Sequence, residues 1–96
     1  MAADLNIFKG FIESLVSDER VTVWHLGMIL GIVQLANGDK LADPISISRR
    51  KVMQLGHISN IVTYHRCIKD LQAFGFIKYL PSYHPGIRTT VYLIEK

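Results

Sequence analysis

The sequence of 96 residues contains only one cysteine, Cys67, so the chain cannot form an internal disulfide bond. A chain of this length can bury a hydrophobic core without disulfide or metal staples. The single thiol suits a reducing cytoplasm, and residues 1–6 lack the basic segment and apolar run of a secretion signal. We therefore expect a cytoplasmic protein that folds as one domain over residues 1–96.

Motifs that carry catalysis are missing as well. The sequence has no P-loop, no Gly-x-Gly-x-x-Gly, no His-Glu-x-x-His and no Cys-x-x-Cys. Its acidic residues are few and do not suggest the paired carboxylates of acid–base catalysis. These absences predict a protein that is not an enzyme and that needs no metal, cofactor or small-molecule ligand. The four histidines, which lack the paired spacing of metal ligands, are His25, His57, His65 and His84.

No apolar run is long enough to cross a membrane. The most hydrophobic stretch, residues 21–36, is interrupted by His25 and Gln34 and is about four residues shorter than a spanning helix requires. Apolar side chains occupy nearly the whole circumference of this helix, so we expect it to be buried. Gly27 and Gly31 leave one strip without side chains, on which another helix can pack closely.

A small domain cannot easily cover such a helix on every side. An amphipathic helix predicted at residues 5–18 covers one flank. Our hypothesis is that a second copy of the chain covers another flank, which gives a homodimer through residues 5–36. The alternative is that the two helices and a C-terminal sheet suffice.

Acidic residues are scarce in the second half of the chain. Residues 1–47 hold three basic and six acidic side chains, a net charge of −3, whereas residues 48–96 hold eight and two, a net charge of +6. A charged surface kept only for solubility would mix the two signs more evenly. The asymmetry therefore predicts a polyanionic partner for the C-terminal half.

Residues 60–75 contain the strongest helix pattern. Asn60 can cap the first turn, and Gly75 stands where a left-handed residue usually ends a helix. Apolar residues recur at spacings of three and four, and Cys67 lies among them, which indicates a buried thiol rather than a nucleophile. The other face is basic and hydrogen-bonding, typical of a helix in a DNA major groove or of a solvated surface. The stripe is Tyr64, Cys67, Ile68, Leu71 and Phe74, and the other face is Ile61, Val62, Thr63, His65, Arg66 and Lys69.

Shorter elements surround this helix. Ser48 is positioned to cap a short helix that Gly56 ends, and a tight turn then leads to Asn60, which predicts a helix-turn-helix unit. Two strands joined by a polar loop follow and predict a hairpin. In chain order the expected elements are a strand at 45–47, a helix at 49–55, a turn at 57–59, the helix at 60–74, a strand at 76–80, a loop at 81–88 and a strand at 89–94.

The first turn of the short helix consists of Arg49, Arg50 and Lys51. Three cations at the positive end of a helix oppose its dipole, at a cost of roughly 0.3–1 kcal/mol each when they are exposed. Stability alone would favour acidic residues there. Binding to phosphate groups explains the three cations, and solvated charge is the alternative.

The order strand, helix, turn, helix, strand, loop, strand extends over residues 45–94, about half of the chain. Its most specific part is the run CIKDLQAFGFI at residues 67–77, which is similar to the end of many winged-helix recognition helices. On these residues the chain resembles the winged-helix DNA-binding superfamily. With residues 49–55 and the loop sequence PSYHP, it more narrowly resembles small winged-helix proteins carried on bacterial conjugative transposons and plasmids.

The resemblance implies a mainly α-helical fold with a small β-hairpin, in which two helices at residues 1–38 precede a β-α-α-β-β winged-helix core at residues 45–94. It implies a transcriptional regulator or a mobile-element accessory factor that binds double-stranded DNA, with its recognition helix in the major groove and residues 81–88 as a wing. The expected base-facing residues are Ile61, Val62, Thr63, His65 and Arg66, and the expected phosphate contacts are Arg49, Arg50, Lys51, Lys69 and Arg88.

Some members of the superfamily bind only protein, which gives a second hypothesis. Ile61 and Val62 stand where small polar or basic residues are common. These two aliphatic side chains either contact thymine methyl groups or belong to a protein interface. In the second case the chain is a subunit of a larger assembly and uses Ile61, Val62 and the apolar helix at residues 21–36 as contact surfaces.

Overall fold

Four helices and three strands make up the part of the chain that the structure, a computed structural model, describes: residues 2–36, 43–84 and 86–95. The fold is mainly helical and carries a small antiparallel sheet, as expected from the sequence. In chain order the elements are α1 (Ala2–Ser17), α2 (Val23–Gln34), β1 (Ile45–Ile47), α3 (Arg49–Leu55), α4 (Ile61–Ala73), β2 (Ile77–Leu80) and β3 (Thr89–Leu93).

The three strands form one antiparallel sheet in the order β1-β3-β2. β2 and β3 pair as the expected hairpin, with Ile77 opposite Leu93. β1 pairs with the other side of β3, where Ile45 lies opposite Val91. The sheet therefore joins the segment before α3 to the hairpin after α4, and the two helices lie between these strands in the chain.

One hydrophobic core connects the helices with the sheet. The Phe11 ring of α1 meets the ring of Phe76 edge-on, at a centroid distance of 6.1 Å. Cys67 is buried in this core, in agreement with the sequence, and Phe74 at the end of the α4 stripe is half-buried. The buried apolar side chains are Phe11, Leu15, Met28, Ile29, Ile32, Ile45, Ile47, Val52, Ile58, Tyr64, Cys67, Ile68, Leu71, Phe76, Ile77, Val91 and Leu93.

α2 and α3 pack with their backbones in contact, at the glycine strip that the sequence indicated. A Cβ atom added to Gly27 would lie 2.6 Å from the carbonyl oxygen of Gly56. One added to Gly31 would lie 2.7 Å from the carbonyl oxygen of Val52. Gly56 has the reciprocal constraint, because its own Cβ would lie 2.5 Å from the carbonyl oxygen of Gly27. Side chains at these positions would therefore force the two helices apart.

The end of α3 explains what Gly56 does. The backbone N–H of Ile58 donates to the carbonyl of Met53 at 2.8 Å, which closes the helix through a residue in the left-handed conformation. That residue is His57, with φ 57°, whereas Gly56 has φ −89°. The glycine is thus required by the close approach to Gly27 and not by a left-handed backbone.

α4 ends in the same way at the glycine predicted for this role. Gly75 has φ 85°, in the left-handed region that glycine adopts without steric cost. The N–H of Phe76 donates to the carbonyl of Leu71 at 2.9 Å. This bond turns the chain directly from α4 into β2, so the length of α4 and the start of the hairpin are fixed together.

The predicted bounds differ from the observed ones by a few residues. α2 is shorter than residues 21–36, because Thr22 adopts an extended backbone before it and Leu35 begins a tighter final turn. α1 starts earlier than residue 5, since the alanines before it favour a helix without contributing to an apolar period. The strand predictions 76–80 and 89–94 were each one residue too long. The stop predicted at 37–39 and most of the 40–44 loop lie outside the described residues.

α2 is less completely buried than the sequence led us to expect. Val23 is 78% exposed and Leu30 is 57% exposed, although the side of α2 that faces the core is fully buried. Leu26 and Val33 are half-buried beside them. One apolar strip of the helix therefore faces outward in the single chain.

None of the helices within the described residues is both long enough and apolar enough to cross a membrane.

We predict that Gly27→Ala destabilises the protein by about 1–3 kcal/mol, because the added methyl group overlaps the backbone of α3. Gly10→Ala is the matched control, since among the described residues no atom outside the neighbouring backbone of α1 lies within 4 Å of the new Cβ. There alanine should stabilise the helix by about 0.5–1 kcal/mol. Urea unfolding of both variants measures the difference, and equal effects of the two substitutions would contradict the backbone contact.

Candidate nucleic-acid interface

The first turn of α4 is fixed by Asn60. Its Oδ1 atom accepts hydrogen bonds from the backbone N–H groups of Val62 at 2.8 Å and Thr63 at 3.3 Å. Ile61 and Val62 follow the cap with 42% and 68% of their surfaces exposed. The cap provides an acceptor for two free backbone N–H groups at the start of α4, and the two aliphatic side chains remain accessible to a partner.

The outward face of α4 carries the residues expected to contact bases. His65 and Arg66 are exposed, and Thr63 is half-buried at the edge of the face. The His65 ring lies edge-on to the ring of Tyr64, 5.3 Å between centroids. The buried stripe of α4 holds the helix against the core and thereby directs this face away from it.

A first groove unites two residues that are distant in the sequence. Lys51 of α3 and Arg88 before β3 both line it, together with Ser46 and Ser48. Ser48 caps α3 through a long hydrogen bond of 3.4 Å from the Lys51 backbone N–H to its Oγ. Two of the expected phosphate contacts thus share a groove because β1 pairs with β3.

A second groove joins α3, α4 and the hairpin. Arg49 and His65 line it with Tyr64, Tyr79 and Thr89. Burial, together with the nearby Tyr79, raises the pKa of the Tyr64 hydroxyl to about 12, although the Arg49 guanidinium opposes the rise. Burial also raises the pKa of Tyr79. Both hydroxyls therefore stay protonated at neutral pH and can donate or accept a hydrogen bond.

The cations of this region have no acidic partners within the described residues 2–36, 43–84 and 86–95. The two grooves bring together Arg49, Lys51, His65 and Arg88 but not Arg50 or Lys69, which are exposed outside them. The exposed cations in question are Arg49, Arg50, Lys51, Arg66, Lys69 and Arg88.

A buried polar contact between α2 and α4 was not foreseen from the sequence. His25 is buried, and its Nε2 lies 2.9 Å from Oδ2 of Asp70. Its Nδ1 accepts from the backbone N–H of Thr22 at 2.8 Å. Because Nδ1 is an acceptor, the ring proton resides on Nε2 and is donated to the carboxylate. The histidine thus links the start of α2 to the middle of α4.

Arg20 closes the same region from the loop before α2. Its guanidinium pairs with Asp18 at 2.6 Å, and this hydrogen bond raises the pKa of Arg20. The guanidinium carbon also lies 4.2 Å above the centroid of the Phe74 ring, and Phe74 meets the ring of His25 edge-on at 5.6 Å. The loop is therefore attached to the C-terminal end of α4 as well.

A local signal for part of this arrangement is present in the sequence. Thr22 and His25 have the spacing of a capping box, in which the fourth residue usually is glutamate or glutamine and here is histidine. No local signal connects His25 with Asp70, because the two residues are 45 positions apart. Asp70 is, however, one of only two acidic residues in residues 48–96, and this scarcity distinguishes it in the sequence.

The Cys67 thiol lies on the buried side of α4. Burial raises the pKa of the Cys67 thiol, Asp70 raises it further, and Arg66 opposes them. The thiol is therefore protonated and a poor nucleophile at neutral pH. Within the part of the chain that the structure describes, no three histidine, cysteine, aspartate or glutamate side chains are grouped so that they could hold a metal ion.

Comparisons with known protein families, curated proteins and solved structures give no match to this chain.

We predict that Asp70→Ala lowers stability by about 1–3 kcal/mol, because the buried Nε2–H of His25 loses its acceptor. Asp70→Asn retains an oxygen at the same place and should cost less than half as much. Thermal unfolding of the two variants and the parent protein makes the comparison. Equal losses for alanine and asparagine would show that the hydrogen bond to His25 does not stabilise the fold.

Proposed function

We propose that the chain is a DNA-binding protein of the winged-helix type and acts as a transcriptional regulator or a mobile-element accessory factor. One observation carries the proposal: exposed cations of α3 and of the segment before β3 line two grooves, one of which His65 of α4 also lines, and Arg66 and Lys69 are exposed on α4 itself. A polyanion that follows this surface meets positive charge from all three elements at once. Duplex DNA is the polyanion whose major groove fits a helix.

The topology supports the winged-helix assignment. The described elements from β1 onward follow the order strand, helix, helix, strand, strand, and β1 pairs with the hairpin on the open side of β3. In this arrangement α3 and α4 form the helix-turn-helix, and the β2–β3 hairpin with residues 81–88 is the wing. Arg88, at the base of the wing, lines the same groove as Lys51, so the wing and α3 would both bind phosphates along that groove.

Within this proposal the first two turns of α4 enter the major groove. Arg66 is exposed there and carries the paired donors that match guanine O6 and N7. Thr63 and His65 are the further polar candidates for base contact, and Ile61 and Val62 can meet thymine methyl groups. Arg49, Arg50, Lys51, Lys69 and Arg88 bind phosphates and set the orientation of the protein without selecting a sequence.

We also propose that the protein is a homodimer through residues 5–36. The outward strip of α2 consists of Val23, Leu26, Leu30 and Val33 at spacings of three, four and three, which suits the seam between two helices. The strip carries no charge, so two copies can meet across a two-fold axis without repulsion. Such a dimer would present two α4 helices to half-sites roughly 34 Å apart on the DNA.

A protein partner is the second candidate function. The exposure of Val62, at 68%, and of the adjacent Ile61 favours it, because large aliphatic side chains are uncommon at the tip of a polar binding face. In that case the winged helix is a subunit of a larger assembly. Ile61→Asp or Val62→Asp would then abolish the partner contact, whereas substitution of the cations would have little effect.

We predict that replacing Arg49, Arg50 and Lys51 with glutamine weakens binding to every duplex DNA sequence alike. Each lost phosphate contact should reduce the slope of log affinity against log salt by about 0.9, or up to about 2.7 for all three. Fluorescence anisotropy of a labelled random duplex across a salt series measures both quantities.

Lys9→Gln is the control for this experiment, because Lys9 is exposed on α1 and distant in sequence from the proposed surface. It should leave the slope unchanged, and the triple variant should be no less stable than the parent. Absence of DNA binding by the parent protein would disprove the proposal. An unchanged slope with lower stability would mean that the three cations serve the fold.

We predict different consequences for two neighbouring cations of α4. Arg66→Ala should remove the preference for one base, worth about 1–3 kcal/mol, and keep most of the non-specific affinity. Lys69→Ala should lower affinity for all sequences and keep the preferred motif. Selection from a random DNA library with each variant distinguishes these outcomes. A motif that survives Arg66→Ala, or the absence of any enriched motif, would reject α4 as the recognition helix.

A further inference from the structure

The start of α2 and the outward face of α4 enclose a third groove. Trp24 lines it from α2, and Thr63 and Arg66 line it from α4. Trp24 is 55% exposed, which is unusual for the largest apolar side chain in a small domain. Two residues with proposed roles in base contact thus share a depression with an accessible indole ring.

Trp24 does not belong to the apolar strip of α2. It is six positions from Leu30, and at 100° per residue these two side chains lie about 120° apart around the helix. Leu30 lies within about 20° of Val23, seven positions before it, so those two share the outward strip. Trp24 is therefore on the side of α2 that approaches α4, and a dimer through the strip would leave it accessible.

The charged groups that line the groove are not equally available. Arg20 is paired with Asp18, and Asp70 is hydrogen-bonded to His25. Arg66 forms no ion pair within the described residues. Thr63 and Arg66 are one turn apart, whereas Asp70 lies about 10 Å further along α4 than Thr63. The groove thus has a cationic, hydroxyl-bearing end at Thr63 and Arg66 and a second end at which Asp70 lies with the paired Arg20, and the indole ring is among its walls.

We propose that Trp24 is a DNA-contacting residue that binds one sugar–phosphate unit of the duplex at the cationic end of this groove. The inference rests on the proposed DNA-binding function and names a contact outside the helix-turn-helix and the wing. The flat indole face packs against a deoxyribose ring, and Nε1–H donates to a phosphate oxygen. Thr63 can donate to the same phosphate, while Arg66 remains free for the adjacent base.

A sugar–phosphate unit fits the chemistry of the groove better than a bare anion does. A deoxyribose ring offers apolar C–H surface to the indole, and the attached phosphate offers acceptors to Trp24 and Thr63. The end at Asp70 offers a second phosphate no cation without an ion pair, because Arg20 is paired with Asp18, so we expect the strand to leave the groove before it reaches that end. Trp24 therefore limits the angle at which α4 can lie in the major groove, since it holds the strand beside the first two turns of the helix.

Trp24 is the only tryptophan in the chain, so its fluorescence reports directly on this groove. Binding of a short random duplex to the full-length protein should shift its emission and reduce its quenching by acrylamide. Trp24→Ala should weaken binding to all sequences about ten-fold, the effect of losing one hydrogen bond to a charged group. Trp24→Phe keeps an aromatic surface and should lose less.

Ile94→Ala is the control, because Ile94 is an exposed apolar side chain that lines none of the three grooves and lies outside the proposed dimer region. It should leave both the DNA affinity and the protection of Trp24 by DNA unchanged. Anisotropy of the labelled duplex is recorded in parallel, and circular dichroism verifies that each variant is folded. If anisotropy shows DNA binding while acrylamide quenching is unchanged and Trp24→Ala binds normally, Trp24 does not contact DNA and the proposed function stands. If the parent protein binds no DNA, both proposals fail.

Discussion

The backbone contact between α2 and α3 is the constraint on which the remaining structure depends. Gly27 and Gly56 each occupy the space that the other's Cβ would need, and Gly31 meets the carbonyl of Val52 in the same way. Because α3 is only two turns long, its packing against α2 also fixes the turn that follows it and the position at which α4 begins. The orientation of the α4 face relative to the α3 cations is therefore set by three residues that have no side chains.

A polar contact between α2 and α4 adds to the backbone contact between α2 and α3. The His25 ring links the extended residue Thr22 to Asp70 in the third turn of α4, so α2 holds α4 directly as well as through α3. Burying a polar group is costly unless it is hydrogen-bonded, and here both ring nitrogens have partners. Arg20 adds a third attachment through its contact with Phe74. The helix that carries the proposed base contacts is therefore held from several sides by the N-terminal part of the chain.

Local signals predicted the elements of this fold well, and long-range contacts were mostly beyond them. Asn60 and Gly75 act through neighbouring backbone groups, so their roles could be recognised from sequence alone. The spacing of Gly27 and Gly31 indicated close packing but not its partner, because the glycine they meet was assigned to ending a helix. The contact between His25 and Asp70 depends on the fold as a whole. The same is true of the grooves, whose residues come from several elements. The base and phosphate roles were assigned from charge and resemblance.

The sheet order has a consequence for how the chain folds. Within the hairpin, β2 and β3 are connected by a short loop, whereas the paired residues Ile45 and Val91 of β1 and β3 are 46 positions apart. Closing that long loop costs conformational entropy. The cost falls once the helices between β1 and β3 have formed and packed, because they shorten the distance that the chain must close. Pairing of β1 with β3 is therefore the non-local step of folding. Since that step also brings Lys51 and Arg88 to the same groove, the complete cationic surface forms only in molecules whose strands have all paired.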